Sequence, residues 1–165
     1  MRQAEALAIL QSGTSVFLTG APGAGKTYVL NEFVRQARVE GAAVSVTAST
    51  GIAATHINGQ TIHSWSGVGL ANALTDNLIK TIRTRRKRKL QGADILIDEV
   101  SMLHAWLFDM VDQVCRIIRR DQRPFGGLQV VLSGDFFQLP PVSVGGRNHD
   151  LVTPSPEFVA SRERY

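Results

Sequence analysis

The chain has one cysteine, Cys115, so no internal disulfide can form and disulfide-stapled secreted scaffolds are excluded. Cys115 lies among Val111, Val114, Ile117 and Ile118, a setting for a small buried residue rather than a nucleophile. No uninterrupted apolar stretch is long enough to cross a membrane, and Met1-Arg2-Gln3-Ala4-Glu5 has no apolar signal core. The expectation is an intracellular protein in a reducing compartment, with no membrane partner. Internal repeats are absent, and 44% apolar content leaves no case for wholesale disorder. His56, His104 and His149 share no metal-ligand spacing. A length of 165 residues allows one domain with a real core and argues against two full ones.

What is present begins with Gly20-Ala21-Pro22-Gly23-Ala24-Gly25-Lys26-Thr27, which fits the phosphate-binding loop G-x-x-x-x-G-K-[ST] at every fixed position. The loop follows an apolar run, Val16-Phe17-Leu18, and precedes a helix-like segment, residues 28–38. Gly20, Gly23, Ala24 and Gly25 let backbone N–H groups turn inward around phosphate oxygens. Lys26 supplies a point charge for the outer phosphates, Thr27 offers a hydroxyl to Mg²⁺, and the helix N-terminus favours the anion. The pattern predicts binding of a nucleoside triphosphate.

Along the chain, periodicity predicts a short helix over residues 3–10 and strands over 15–19, 44–48, 93–97 and 128–132. Helices are predicted after the phosphate loop to about residue 40, closed by Gly41, then from Thr50 through His56, then over about 75–86. A last helix is predicted over 102–119 with Ser101 as its N-cap. Strands alternating with helices predict an α/β fold, a parallel sheet with helices on both faces and ligands at the strand C-terminal ends.

Two of those ends carry chemistry. Ile95-Leu96-Ile97 delivers Asp98 and Glu99, which in this context would hold Mg²⁺ and act as general base toward the attacking water, respectively. The second is Gly134-Asp135-Phe136-Phe137-Gln138-Leu139-Pro140-Pro141. By pattern alone it reads as a surface turn with a polar residue; near a γ-phosphate, Gln138 would sense the triphosphate and orient water. A net charge of +4 is compatible with nucleic acid without establishing it. Arg83, Arg85, Arg86, Lys87, Arg88 and Lys89 crowd one stretch, which reads either as a solvated helix end or loop or as a phosphate-contacting patch.

These motifs together resemble the first RecA-like lobe of a superfamily-one helicase. The nearest group is the petite-integration-frequency helicases, relatives of RecD that move 5′ to 3′ on single-stranded DNA. The resemblance covers roughly residues 1–142. Gln3 with Ala4-Glu5-Ala6-Leu7 is similar to the adenine-reading Q motif, and residues 20–27 to motif I. Thr47-Ala48-Ser49-Thr50-Gly51-Ile52-Ala53-Ala54 is similar to motif Ia, and Thr61-Ile62-His63-Ser64-Trp65 to a segment that approaches DNA. Asp98-Glu99-Val100-Ser101-Met102 resembles motif II. Residues 134–142 resemble motif III, and Phe-Phe-Gln-Leu-Pro-Pro is the most family-specific string.

The resemblance implies that Gln3 contacts adenine, that Gln138 contacts the γ-phosphate, and that Thr50, Gly51, Thr61 and His63 lie along a DNA path. It implies ATP and Mg²⁺ as cofactors and single-stranded DNA as partner, in replication, repair or recombination. Trp65 is open between a base-stacking and a core role, and Trp106 reads as packing. Such helicases need a second RecA-like lobe with its arginines, and motifs IV, V and VI have no counterpart in residues 143–165. That Gly- and Pro-rich tail, with Arg147, Arg162 and Arg164 in no motif, reads as the start of a truncated linker. The expectation is a motor lobe that binds Mg·ATP, hydrolyses it slowly and does not unwind DNA alone, its second lobe supplied in cis or in trans. The alternative is a nucleotide-gated DNA-binding module or regulator working with a partner lobe.

Overall fold

The computed structural model of the protein describes residues 1–21, 23–100 and 103–134. Helix α1 (Gln3–Gln11) precedes strand β1 (Val16–Leu18), and helix α2 (Lys26–Val39) follows the phosphate loop. Strand β2 (Val44–Ala48) leads through helix α3 (Gly51–His56) to the short strand β3 (Gln60–Thr61) and helix α4 (Ile62–Ser66). The long helix α5 (Asp76–Gly92), strand β4 (Ile95–Glu99), helix α6 (Ala105–Arg119), a 3-10 turn (Pro124–Gly127) and strand β5 (Gln129–Ser133) complete the described fold.

All five strands are parallel and stand in the order β1-β5-β4-β2-β3. Side chains alternate between the two faces of a strand. Ile95 and Ile97 of β4 and Val131 of β5 therefore join Ala6, Leu10, Val29, Phe33 and Ala37 of α1 and α2 in one core. Leu96, Val130 and Leu132 join Trp65, Ile82, Leu90, Val111, Val114 and Phe125 in the other. Burial on both faces explains why these strands are short continuous apolar runs.

Trp65 is fully buried in the second core, which removes it from any base-stacking role. Cys115 is buried as expected, and burial pushes its thiol up to about 12, which rules out a thiolate nucleophile near neutral pH.

Strands β1 and β5 fall within one residue of the sequence expectation, and three elements depart further from it. Strand β4 begins at Ile95, because Asp94 is engaged beforehand: its carboxylate accepts the Ala43 N–H at 2.8 Å. Asp98 and Glu99 are consequently paired strand residues, opposite Leu132 and Ser133 of β5. Helix α6 begins at Ala105, with His104 in the capping position and no side-chain cap; the Leu103 N–H bonds the Val100 carbonyl at 3.0 Å in the turn before it. The expected cap, Ser101, lies outside the described residues, as do Gln138 and the tail 143–165.

Helix α5 reaches Gly92 rather than stopping near residue 86, so the basic run is helical. Ile82 and Leu90 are buried eight positions apart on one face and tie the last turns to the core. The exposed carbonyls at its C-terminal end find a donor in Arg119 of α6. Its guanidinium donates to the carbonyl oxygens of Leu90 (2.8 Å), Gln91 (3.2 Å) and Ala93 (2.8 Å), and to Gly126 at 2.8 Å. One planar donor fork thereby joins α5, the approach to β4, α6 and the 3-10 turn. Lysine cannot reproduce that geometry. Arg119→Lys and Arg119→Met are each expected to cost about 3 kcal/mol of stability, from carbonyls left without their charged donor. Urea unfolding checks this, and a loss below about 0.5 kcal/mol, the range of neutral surface changes, counts against the clamp.

Candidate nucleotide and DNA site

The phosphate loop is shaped by two left-handed residues, Gly23 (φ +83°) and Gly25 (φ +90°). Gly25 occupies the N-cap position of α2 and offers no side-chain acceptor, so the first N–H groups of α2 have no side-chain cap. An anion in the loop would satisfy them. The Lys26 ammonium folds back on the loop and donates to the Gly20 carbonyl. The Gln3 carboxamide, from the first residue of α1, lies directly against Gly25, where any Cβ would collide with it. The residue expected to read adenine and the phosphate loop are thus brought together.

The acidic pair divides by strand alternation. Glu99 shares the face of Ile97 and, with Thr27, Thr47 and Ser133, lines a cavity of about 650 Å³ running beside α2. Asp98 is buried at 1% exposure. The Thr47 hydroxyl donates to its Oδ1 at 2.6 Å, with the Ile97 carbonyl a second acceptor at 3.0 Å. Oδ2 is buried and has no hydrogen-bond partner among the described residues. Burial pushes the Asp98 carboxyl up to about 7; the Thr47 bond opposes this, and the charge of Glu99 adds to it. A buried carboxylate oxygen without a donor at a strand C-terminal end fits the hard oxygen chemistry of Mg²⁺.

Thr47 was not assigned a role by its place in the sequence. Only the register, Thr47 opposite Asp98 across β2 and β4, shows what its hydroxyl does.

The residues expected along DNA cluster at the ends of two adjacent strands. Thr50 caps α3, its Oγ1 accepting the Ala53 N–H at 3.2 Å, and Gly51 is the first residue of that helix. Thr61 caps α4 in the same way, accepting the Ser64 N–H at 3.2 Å. Pairing of Ala48 with Thr61 sets the two caps side by side. His63 is half-buried in α4; burial lowers its pKa, and the nearby charge of His104 lowers it further. Gln138, expected at the γ-phosphate, lies outside the described residues.

Without a cation, an ionised Asp98 costs stability. The folded state holds the Asp98 proton more tightly than an unfolded chain, whose carboxyl titrates near 3.8. Its stabilising contribution is full below about pH 4 and is lost as pH rises through about 7. In chelator, Asp98→Asn is expected to gain on the wild type progressively over that window, by up to about 4 kcal/mol at the alkaline end. Parallel pH profiles of the two urea midpoints would remove the buried-charge argument.

Comparison with known proteins follows the same lines. The PIF1-like helicase family matches residues 2–157. The ATP-dependent DNA helicase Pif1 of Psychrobacter sp. (strain PRwf-1) is 51% identical over 152 residues, covering 90% of this chain and 23% of that protein. The crystal structure of Pif1 helicase from Candida albicans superposes with a TM-score of 0.83 at 36% identity, covering 95% of this chain and 36% of that one. A Pif1 helicase from Bacteroides, in complex with ADP-AlF3 and single-stranded DNA, superposes with a TM-score of 0.69 at 29% identity, covering 97% of this chain and 35% of that one. The chain thus spans about a quarter of the length of its first curated relative. With the family model matching residues 2–157 and a curated relative 51% identical across 90% of its length, the chain belongs to the PIF1-like helicase family.

Proposed function

We propose that residues 1–142 form the ATP-binding and ATP-hydrolysing motor lobe of a 5′-to-3′ DNA helicase that acts on single-stranded DNA in replication, repair or recombination. One observation carries the reading: Lys26 and Thr27 after β1, and Asp98 and Glu99 at the end of β4, lie at the same C-terminal end of a parallel sheet, and Thr27 and Glu99 line one cavity there. The Pif1 relatives are ATP-dependent DNA helicases by name, and the Bacteroides protein was crystallised with a nucleotide analogue and single-stranded DNA.

In this reading the N–H groups around Gly20, Gly23, Ala24 and Gly25 cradle the phosphates. Lys26 leaves the Gly20 carbonyl for the outer phosphate oxygens, an exchange of one acceptor for a more strongly charged one. Thr27 and Asp98 would hold Mg²⁺, which when bound would supply positive charge against that developing on the transferring phosphoryl group. Thr47 fixes the Asp98 carboxylate and leaves Oδ2 for the ion. Glu99 orients and deprotonates the attacking water, Gln138 contacts the γ-phosphate, and Gln3, poised over Gly25, contacts adenine. Thr50, Gly51, Thr61 and His63 line the strand. His63, its pKa lowered, meets DNA as a neutral imidazole near neutral pH.

A second RecA-like lobe, in cis or in trans, supplies the arginines that complete the site. Loss of such an arginine costs about 10³–10⁵ in rate in other phosphate-loop NTPases, so residues 1–142 without that lobe are expected to turn over ATP slowly and not to unwind DNA.

Steady-state ATP turnover with and without single-stranded DNA tests the proposal, with Lys26→Ala as the blank. Glu99→Gln is expected to slow turnover by about 10²–10⁴ while nucleotide affinity stays within a factor of about three, less than 1 kcal/mol. Wild-type turnover in Glu99→Gln removes the general-base role, and turnover unchanged in Lys26→Ala assigns the activity to another protein.

A further inference from the structure

The positive charge of this protein has one source. Between residues 41 and 93 there are seven lysines and arginines and one acid, Asp76. Elsewhere the chain carries eleven cations against thirteen acids. The acid-poor stretch includes the caps of α3 and α4, where the proposed DNA path lies, and the whole of α5.

All seven cations are on α5: Lys80, Arg83, Arg85, Arg86, Lys87, Arg88 and Lys89. No ion pair among the described residues reaches any of them. Helix α5 is also fastened to α4. The Arg86 Nε donates to the Ser64 carbonyl at 3.0 Å, one residue after His63. Gly67, at the C-terminal end of α4, is left-handed at φ +83°, and a Cβ there would meet Arg86 Cγ and Ile82 Cγ1 at 3.1 Å. Lys89, one turn beyond Arg85, is near enough to Arg86 for the two charges to repel: burial, then Arg86, lowers the Lys89 pKa. Like charges held together at a surface are unfavourable without an anion to share.

We propose that Arg85, Arg86 and Lys89 form a phosphate-binding shelf that continues the single-stranded DNA path from α4 onto the side of α5. The shelf rests on the DNA reading given above and extends it. Arg86 positions α4 through Ser64 and lends its charge, while the exposed Arg85 and Lys89 contact backbone phosphates. Single-stranded DNA is the occupant favoured because the shelf is fastened to α4, the helix whose cap Thr61 and whose His63 lie on the proposed DNA path, and a phosphate backbone is the feature a row of cations reads. At 100° per residue, Lys80 and Lys87 lie on the opposite side of α5 from Arg85 and Lys89, which provides an internal control.

The test is fluorescence anisotropy of the chain with oligothymidylates of about six and about twenty nucleotides, within the span of single-strand site sizes, over a range of salt. Arg85→Gln with Lys89→Gln is expected to weaken the long strand about tenfold at low salt. It should also flatten the log–log salt slope by about 1.4, or about 0.7 per lost phosphate contact. Affinity for the short strand stays unchanged, as does the thermal midpoint, and Arg85→Lys with Lys89→Arg keeps long-strand binding. Lys80→Gln with Lys87→Gln leaves both strands unaffected. Equal losses in the two Gln pairs mean a diffuse field rather than a shelf and overturn the inference. So does unchanged long-strand affinity, with DNA binding at α3 and α4 left standing. A wild-type chain that binds neither strand overturns the DNA path and its extension together.

Discussion

The hydrogen bond from Thr47 to Asp98 inside the parallel sheet is the contact on which the site depends. Strand β4 lies between β5 and β2 and is covered on both faces, so its polar end can exist only where a neighbour answers it. Thr47 answers one carboxylate oxygen and leaves the other buried without a donor. That asymmetry makes an ionised Asp98 costly as long as Oδ2 has no partner. It also fixes register: a one-residue slip of β2 against β4 would bury Asp98 without its hydroxyl and turn the apolar side chains to the wrong faces.

The same edge gathers the rest of the machinery. Parallel pairing makes every strand deliver its following loop to one side of the sheet. The phosphate loop after β1, the cap of α3 after β2, the cap of α4 after β3 and the acidic pair of β4 are therefore neighbours although far apart in sequence. Two threonines, Thr50 and Thr61, start helices with the same side-chain bond, which aims both helix N-termini toward the proposed strand. At the C-terminal end of α5, the Arg119 clamp holds the last turn of that helix, and with it the spacing of its last cations.

Local signals carried much of this fold. The phosphate loop is contiguous and positive φ calls for glycine at Gly23 and Gly25, so its placement between β1 and α2 was legible from spacing alone. Helix α3, capped by Thr50 and ended near Asn58 and Gly59, was legible for the same reason: caps and turns act over three or four residues. Strand β3 was not, because two residues show no period. The length of α5 was underestimated because no apolar residue stands between Ile82 and Leu90 to carry the period through the basic run, although Gly92 marks its end; Arg119, nearly thirty residues later, satisfies its last carbonyls. The true start of β4 was hidden for a similar reason, since Asp94 is held by the backbone of Ala43.

The sequence by itself determined the fold class, the phosphate loop, the buried character of Cys115 and the resemblance to helicase motor lobes, because each rests on residue types at fixed short spacing. Tertiary structure alone decided that Trp65 is core, that Thr47 holds Asp98, that Gln3 lies over Gly25 and that α5 is tied to α4 through Arg86 and Ser64. The physical reason is common to all four. A hydroxyl, a carboxamide, an indole or a guanidinium acquires its role from the group that packing places within hydrogen-bond or van der Waals distance, and that group is tens of residues away in the chain.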